Sequence, residues 1–394
     1  MKILYVVSRP LEINSSSSIS NRAIIGGLLE LGHEVDLVTT QPDKNHINYD
    51  NSILDDKIIL NKKLKINYLN LSGIHNIARI GRKLRIPKKL WKAIYTFKSN
   101  LNIYDDLKGI INRIPEFNIN DGSYDVIISS SDPKSSHLFV SKIYEKGQVY
   151  KTPWIQIWGD PFLLDITRQN KYLDYKIRKE ESKLLKYATK IVYVSKLTLE
   201  MQRKIYNQYS NKMFYVPIPY VRKEIYPVNI YKKNYLKLLY CGDYSSHVRN
   251  IKPLYEAIKD SEHELIICGS SNIKLDSTKR IKIYPRVSLN KVKKFEAECD
   301  VLVHLSNLTG TQIPGKIYQY SGTNKLILFI LDGEREKLYQ VFNKYQRYVF
   351  CENNVDDISK AIQNIYRGVF DYTRFAVEDF SPKKIAEKII ELDR

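Results

Sequence analysis

The segment "TGTQIPGKIYQYSGTNKLILFI", Thr309 to Ile330, sets a proline, a glycine and a lysine at the head of a helical pattern that runs into a strand. Pro314 suits the first helical position, and the free N–H groups of a helix N-terminus attract an anion without any metal. Lys316, in the first turn, adds a full positive charge to the same place. Upstream, "CGDYSSHVRNIKPL" puts Arg249 in the loop between a strand and a helix. Two cations and a helix dipole converging on one point suit a diphosphate. A helix cap and two solvated basic side chains would account for the same residues separately. The four cysteines, Cys241, Cys268, Cys299 and Cys351, form no C-x-x-C pair and lie in or beside strand-like runs. That pattern reads as reduced core residues, and no metal site is expected.

Positioning such groups takes a rigid frame, and the chain carries one twice. "KILYVVS" is a continuous apolar run, as in a strand buried on both faces. A Ser-rich loop, a helical pattern ending at Gly32 and the strand "EVDLVTT" follow, which is a βαβ unit with a parallel sheet. "YDVIISSS", a helix from Ser135 to about Glu145, "PWIQIWGD", a helix near Tyr172 to Ala188 and "KIVYVS" continue the alternation to about Met213. "FYVPIPYVRKEIYPVNI", with three prolines, reads as an interdomain hinge. A second series follows: "LKLLYCG", a helix from Lys252 to Asp260, "HELIICGS", "KIKIYPRV", a helix from Asn290, "DVLVHLS", the Pro314 helix, "KLILFIL", "RYVFCE" and a helix from Asp356. The expected fold is α/β, with two Rossmann-like doubly wound domains, residues 1–213 and 214–380, facing a central cleft. The amphipathic helix within 381–394 is expected to cross back to the first domain. Ligands in such sheets bind beyond the carboxyl ends of the strands.

Of the 394 residues, 43% are hydrophobic and 27% charged, the balance of a folded protein too long for one core. The first apolar run is too short for a signal peptide, and no segment reaches the roughly 20 apolar residues of a spanning helix. A cytoplasmic protein is expected. A net charge of +20 calls for an anionic partner. From Arg79 to Lys98 there are eight basic residues and no acid. Trp91 shares a helical face there with Leu90, Ile94 and Phe97, while Arg82, Lys83, Arg85, Lys88, Lys89 and Lys92 supply charge. A basic helix with a Trp-bearing stripe suits an anionic bilayer surface, and a helix packed on its own domain is the alternative. No nucleic-acid-binding motif is visible. A Rossmann dehydrogenase is disfavoured, because no G-x-G-x-x-G follows the first strand.

Four motifs in order, "MKILYVVS" with "LLELGHEVDLVTT", "SSSDPKSSHLFV" with "TPWIQIWGDPF", "LLYCGDYSSHVRNIKPLYEAI" and "QIPGKIYQYSGTNKLILFI", resemble a GT-B glycosyltransferase, closest to glycosyltransferase family 4. The resemblance implies a retaining, metal-independent enzyme with no cofactor, whose donor is a nucleotide diphosphate sugar, UDP- or GDP-linked. It places the nucleotide in the C-terminal domain and the acceptor in the N-terminal one. Arg249 matches the second of two diphosphate cations, and Asp243 stands where the first would be. Lys316 and Gly315 belong to the P-x-K helix. Main-chain atoms around Arg286 and Val287 are expected to read the base. His137 matches the histidine that meets the transferred sugar, and Asp160 the aspartate of an acceptor-side turn. Thr311 and Gln319 occupy the places of two glutamates that hold the sugar and the ribose. Gln319 keeps one carbonyl oxygen for a ribose hydroxyl, without charge assistance. Ser16, Ser17 and Ser18 replace paired glycines, and either approach the diphosphate or acceptor or form a helix cap.

The implied function is sugar transfer to a glycan or lipid-linked acceptor in surface polysaccharide assembly, at the inner face of a membrane. Two other readings stay open: a non-catalytic scaffold that binds a partner transferase or acceptor, and a nucleotide-sugar epimerase.

Overall fold

The computed structural model describes residues 1–71, 102–117, 119–168, 172–227, 234–369 and 373–393. The chain divides into two compact units, residues 1–217 with 386–394, and residues 218–385.

Unit 1 runs β1 (Lys2–Val6), α1 (Ser16–Glu30), β2 (Glu34–Thr40), β3 (Leu64–Leu69), β4 (Val126–Ser131), α2 (Ser135–Glu145), β5 (Trp154–Trp158), α3 (Asp174–Tyr187), β6 (Lys190–Tyr193), α4 (Lys196–Ile205) and β7 (Met213–Tyr215). Its seven strands lie in the order β3-β2-β1-β4-β5-β6-β7, and every pairing is parallel. Ile3, Leu4, Tyr5 and Val6 are wholly enclosed, as a central parallel strand covered by crossover helices must be. Ser15 caps α1 by accepting from the Ser18 N–H, and Gly32 closes it in a left-handed conformation (φ 87°). Met213 begins the edge strand β7 on β6, and the first two residues of the "FYVPIP" segment, Phe214 and Tyr215, complete that strand before the prolines arrive.

Unit 2 repeats the plan with β8 (Lys237–Cys241), α5 (Lys252–Lys259), β9 (Glu264–Cys268), β10 (Ile281–Tyr284), α6 (Leu289–Glu298), β11 (Val301–Leu305), α7 (Lys316–Ser321), β12 (Leu326–Leu331), α8 (Arg335–Phe342), β13 (Tyr348–Glu352) and α9 (Val355–Arg367). A last helix, α10 (Pro382–Glu391), begins in unit 2 and ends in unit 1. The sheet order is β10-β9-β8-β11-β12-β13, again parallel throughout. Both sheets therefore follow the doubly wound 3-2-1-4-5-6 order, whose direction reverses between β1 and β4 and between β8 and β11.

The exits of β8 and β9 press together through bare backbone. A Cβ on Gly269 would lie 2.0 Å from the Gly242 carbonyl oxygen, so only glycine fits. Gly269→Ala is expected to lower unfolding stability by about 3 kcal/mol through overpacking. Gly315→Ala, whose Cβ would meet only Ile218 at 3.8 Å, should stay within about 0.5 kcal/mol. Urea denaturation of both variants measures the contrast.

Candidate functional site

In unit 2 the chain leaves β8 as Gly242-Asp243 and β11 as Ser306-Asn307, on the two sides of the reversal in strand order. Arg249 spans that gap. Its Nε donates to Asn307 Oδ1 (2.9 Å) and its NH1 to the Asp243 carbonyl oxygen (2.8 Å). Asn307 is fixed in turn by donating to the Gln312 carbonyl (2.8 Å). The guanidinium is thus aimed by two backbone loops and one amide, all at the strand ends where doubly wound sheets bind ligands.

Asp243, placed by the sequence where a cation was wanted, acquires one from the loop after β10. Its carboxylate accepts from Arg286 on both oxygens, one contact being Nε to Oδ1 at 3.1 Å, and from the Ser270 N–H at 2.8 Å. Burial pushes its pKa up, but the Arg286 and Ser270 bonds outweigh it and hold the carboxyl below its ordinary value. Two guanidiniums consequently flank one residue. Arg286 is exposed and Val287 half-buried, just after β10 and before the Ser288 cap of α6.

The helix after Pro314 differs from the sequence reading. Its first residue is Lys316, Gly315 is the N-cap, and it ends after six residues at Ser321. So short a helix carries little aligned dipole, and any anion here depends on side-chain charge. Lys316 is half-exposed, with Nζ 5.6 Å from the ring centre of Tyr320. Thr311 is half-exposed, next to Gly310 in a left-handed turn (φ 83°). Gln319 does not hold its amide open for a ribose. Its Oε1 accepts from the Val221 N–H (3.0 Å) and its Nε2 donates to the Pro219 carbonyl (3.1 Å). A peptide backbone offers one donor and one acceptor, and an amide matches both where a carboxylate would face the carbonyl with like polarity.

Unit 1 gathers a different chemistry at the ends of β4 and β5. Carboxylate oxygens of Asp132, Asp160 and Asp165 lie within 4.8 Å of one another. Lys134, 7% exposed, points its ammonium at Asp132 and, at 3.2 Å, at Asp165. Burial and the Asp132 charge raise the Asp160 carboxyl to about 7, against the pull of Lys134. For Asp165 burial also pushes upward, but Lys134 and the Thr167 hydrogen bonds win and hold it low. Glu181 shapes the loop that carries Asp160 and Asp165 by accepting from the Phe162 and Leu163 N–H groups (3.0 Å each).

His137 is wholly enclosed on α2. Its Nδ1 meets Ser129 Oγ at 2.7 Å, and its ring lies 4.3 Å from that of Trp158. Trp154 Nε1 donates to the same Ser129 oxygen (2.8 Å). Burial, with Lys134 nearby, keeps the imidazole neutral, and Nε2 has no hydrogen-bond partner among the described residues. The serines divide their work. Ser16 is exposed, Ser17 Oγ donates to the Asp132 carbonyl, and Ser18 is buried with Oγ donating to the Pro10 carbonyl (3.3 Å). Ser15 is the helix cap. Arg82, Lys83, Arg85, Lys88, Lys89, Trp91 and Lys92 lie outside the described residues.

Sequence reasoning missed Asn307, which aims Arg249, and the Asp132–Lys134–Asp165 group around Asp160. A signal for the second existed: "SSSDPK" and "WGDPFLLD" each set an acid directly after a strand.

No family model matches the chain, and no curated protein matches it. Solved structures do. A sucrose-phosphate synthase from Thermosynechococcus elongatus is 13% identical with a TM-score of 0.60, covering 100% of this chain and 94% of that one. TarM from S. aureus, in complex with fondaparinux, alpha-GlcNAc-glycerol and UDP, is 10% identical with a TM-score of 0.56 over 99% and 96%. A UDP-GlcNAc 2-epimerase from Methanocaldococcus jannaschii, in complex with UDP-GlcNAc and UDP, is 14% identical with a TM-score of 0.50 over 100% and 99%. At these identities the likeness is one of fold: an α/β chain of two Rossmann-like halves.

The Asp160 carboxyl gives the unit 1 cluster a pH signature. A carboxyl raised from 3.8 to about 7 on folding binds its proton more tightly folded than unfolded, so stability falls as pH rises across that window and levels off above it. Asp160→Asn removes the term. The melting temperature of the variant relative to the parent should therefore rise between pH 5 and pH 8, as read by calorimetry at both values.

Proposed function

We propose that this chain is a retaining glycosyltransferase that takes a sugar from a nucleotide diphosphate sugar and passes it to a glycan or lipid-linked acceptor. The observation that carries the reading is Arg249, locked by Asn307 and the Asp243 main chain across the strand-order reversal of unit 2. A guanidinium fixed in advance at that place can meet the charge that builds on a departing diphosphate without reorganising. Lys316 supplies the second positive charge and Arg286 a third nearby, so protein cations alone can neutralise the leaving group. Two of the similar folds are described with UDP bound, which supports a uridine nucleotide as the first donor to try. In unit 1, the Asp160 turn and Ser17 line the acceptor side, and neutral His137 backs it from the interior.

The Gln319 bonds to Pro219 and Val221 bear on the nucleotide: ribose is then held by other groups, and affinity rests more heavily on the diphosphate. Epimerisation of a nucleotide sugar is the second reading, favoured by the fold of UDP-GlcNAc 2-epimerases. It needs no acceptor, so turnover of UDP-GlcNAc alone separates the two.

A thermal-shift screen with UDP, GDP, CMP and their sugars tests the site before any acceptor is known. One nucleotide is expected to raise the melting temperature. Arg249→Ala should weaken its binding roughly tenfold to a hundredfold, the worth of a charged hydrogen bond of about 1.5–3 kcal/mol, and Lys316→Ala should act likewise. Absence of any shift across the panel would remove the donor site and leave a binding scaffold.

In this reading the reaction takes place at an anionic membrane surface, which the basic composition of the segment from Arg79 to Lys98 supports. Among the described residues no helix is long and apolar enough to cross a membrane. Flotation with anionic vesicles at low salt should carry the protein upward, and replacing Lys88, Lys89 and Lys92 by Gln should release it. A protein that stays at the bottom at low salt would overturn the membrane reading and argue for a soluble acceptor.

A further inference from the structure

Cys241 and Cys268 take no part in the function above. They are the last residues of β8 and β9 and face each other in register across that parallel pair. Register partners send their side chains to the same face of a sheet. Both are buried, at 5% and 4% exposure. Strands of one sheet lie about 4.8 Å apart, inside the roughly 4.4–6.8 Å between Cα atoms that a disulfide spans. The residues that follow are Gly242 and Gly269, which have no side chains to cover the strand ends.

The two sulfurs are also unlike. The neighbouring Cys268 thiol, aided by the Lys316 charge, holds Cys241 below the usual thiol range, while Cys241 and burial push Cys268 up. One sulfur is thereby the nucleophile and the other keeps a proton, the division of labour on which thiol exchange depends. The remaining pair differs. Burial pushes Cys299 and Cys351 both up to about 12, and Cys299 spends its thiol on the Glu296 carbonyl (3.4 Å).

We propose that Cys241 and Cys268 form a reactive dithiol site that takes a hydroperoxide and closes to an intramolecular disulfide. The Cys241 sulfur attacks one peroxide oxygen and the O–O bond breaks. The leaving oxygen takes the Cys241 proton, giving water from hydrogen peroxide or an alcohol from an organic hydroperoxide. The resulting sulfenic acid is attacked by the Cys268 sulfur: an S–S bond forms, the S–O bond breaks, and that oxygen leaves as water with the Cys268 proton. Two thiols are oxidised and one hydroperoxide is reduced. The linkage joins the two strand exits beside Lys316 and Arg249, so oxidation stiffens the rim of the anion site.

The test treats the folded full-length protein with hydrogen peroxide, blocks remaining thiols with iodoacetamide after denaturation, and maps the peptides by mass spectrometry. The expected result is loss of two of the four titratable thiols, a mass lower by two hydrogens, and one linked peptide pair containing Cys241 and Cys268. Cys268→Ser should stop at a dimedone-reactive sulfenic acid on Cys241. Four free thiols after treatment, or cross-links that involve Cys299 or Cys351 as often as this pair, would overturn the proposal. The wild-type map decides even if the serine variant does not fold. It involves no nucleotide, so its outcome is separate from that of the donor-site screen.

Discussion

A parallel strand can hand the chain to its neighbour only through a long crossover, and that requirement governs where chemistry is available in this protein. Both faces of each sheet are consumed by helices, as the enclosed runs of β1, β11 and β12 show. What escapes coverage is the rim where strands end and loops begin. The charged clusters described above sit on such a rim: Arg249 with Asn307 and Asp243 after β8 and β11, Arg286 after β10, and Asp132 with Asp160 after β4 and β5. The rim is held rigid by its own contacts. Gly269 and Gly242 touch backbone to backbone, and each loop is tied by a side chain that reaches a main-chain group.

The two rims carry opposite charge, and each is compensated from within. In unit 1 three carboxylates surround one buried lysine, and the excess acid is relieved by the readiness of Asp160 to hold a proton. In unit 2 one carboxylate stands between two guanidiniums, leaving net positive charge at the surface. Arg347 shows the cost such proteins meet when a cation is wholly interior. Its guanidinium is held by the carbonyls of Thr323, Lys325 and Phe375, and burial lowers it to about 10.

Much of the frame was readable from apolar runs alone. "KILYVVS", "DVIISSS", "WIQIW", "LKLLYC" and "KLILFIL" each became a strand, since short apolar runs bounded by turn residues suit strands buried on both faces and are too short for a core helix. The site was legible only where partners are close in sequence. Arg249 and Asp243 are six residues apart and share one loop. Gln319 could not be read, because its partners lie 98 and 100 residues away and are main-chain atoms that no side-chain pattern announces. Arg286 was placed for its backbone, whereas its side chain is claimed by Asp243, 43 residues off. The Pro314 helix was read as starting two residues early, since it begins at Lys316; it stops where Gly322 packs against Tyr220, where an added Cβ would sit 2.6 Å from the ring.

Unit 1 is assembled from two separate pieces of chain, 1–217 and 386–394, while unit 2 is one uninterrupted piece between them. The protein is thus built like a host with a guest inserted near its end. Cutting the gene after residue 217 would leave the host without Ile389 and Ile390, two enclosed side chains of its closing turn, whereas residues 218–385 form a contiguous stretch that can be cloned whole. Shuffling halves between relatives of this architecture therefore requires swapping the guest, and a simple front-for-back exchange would sever the host.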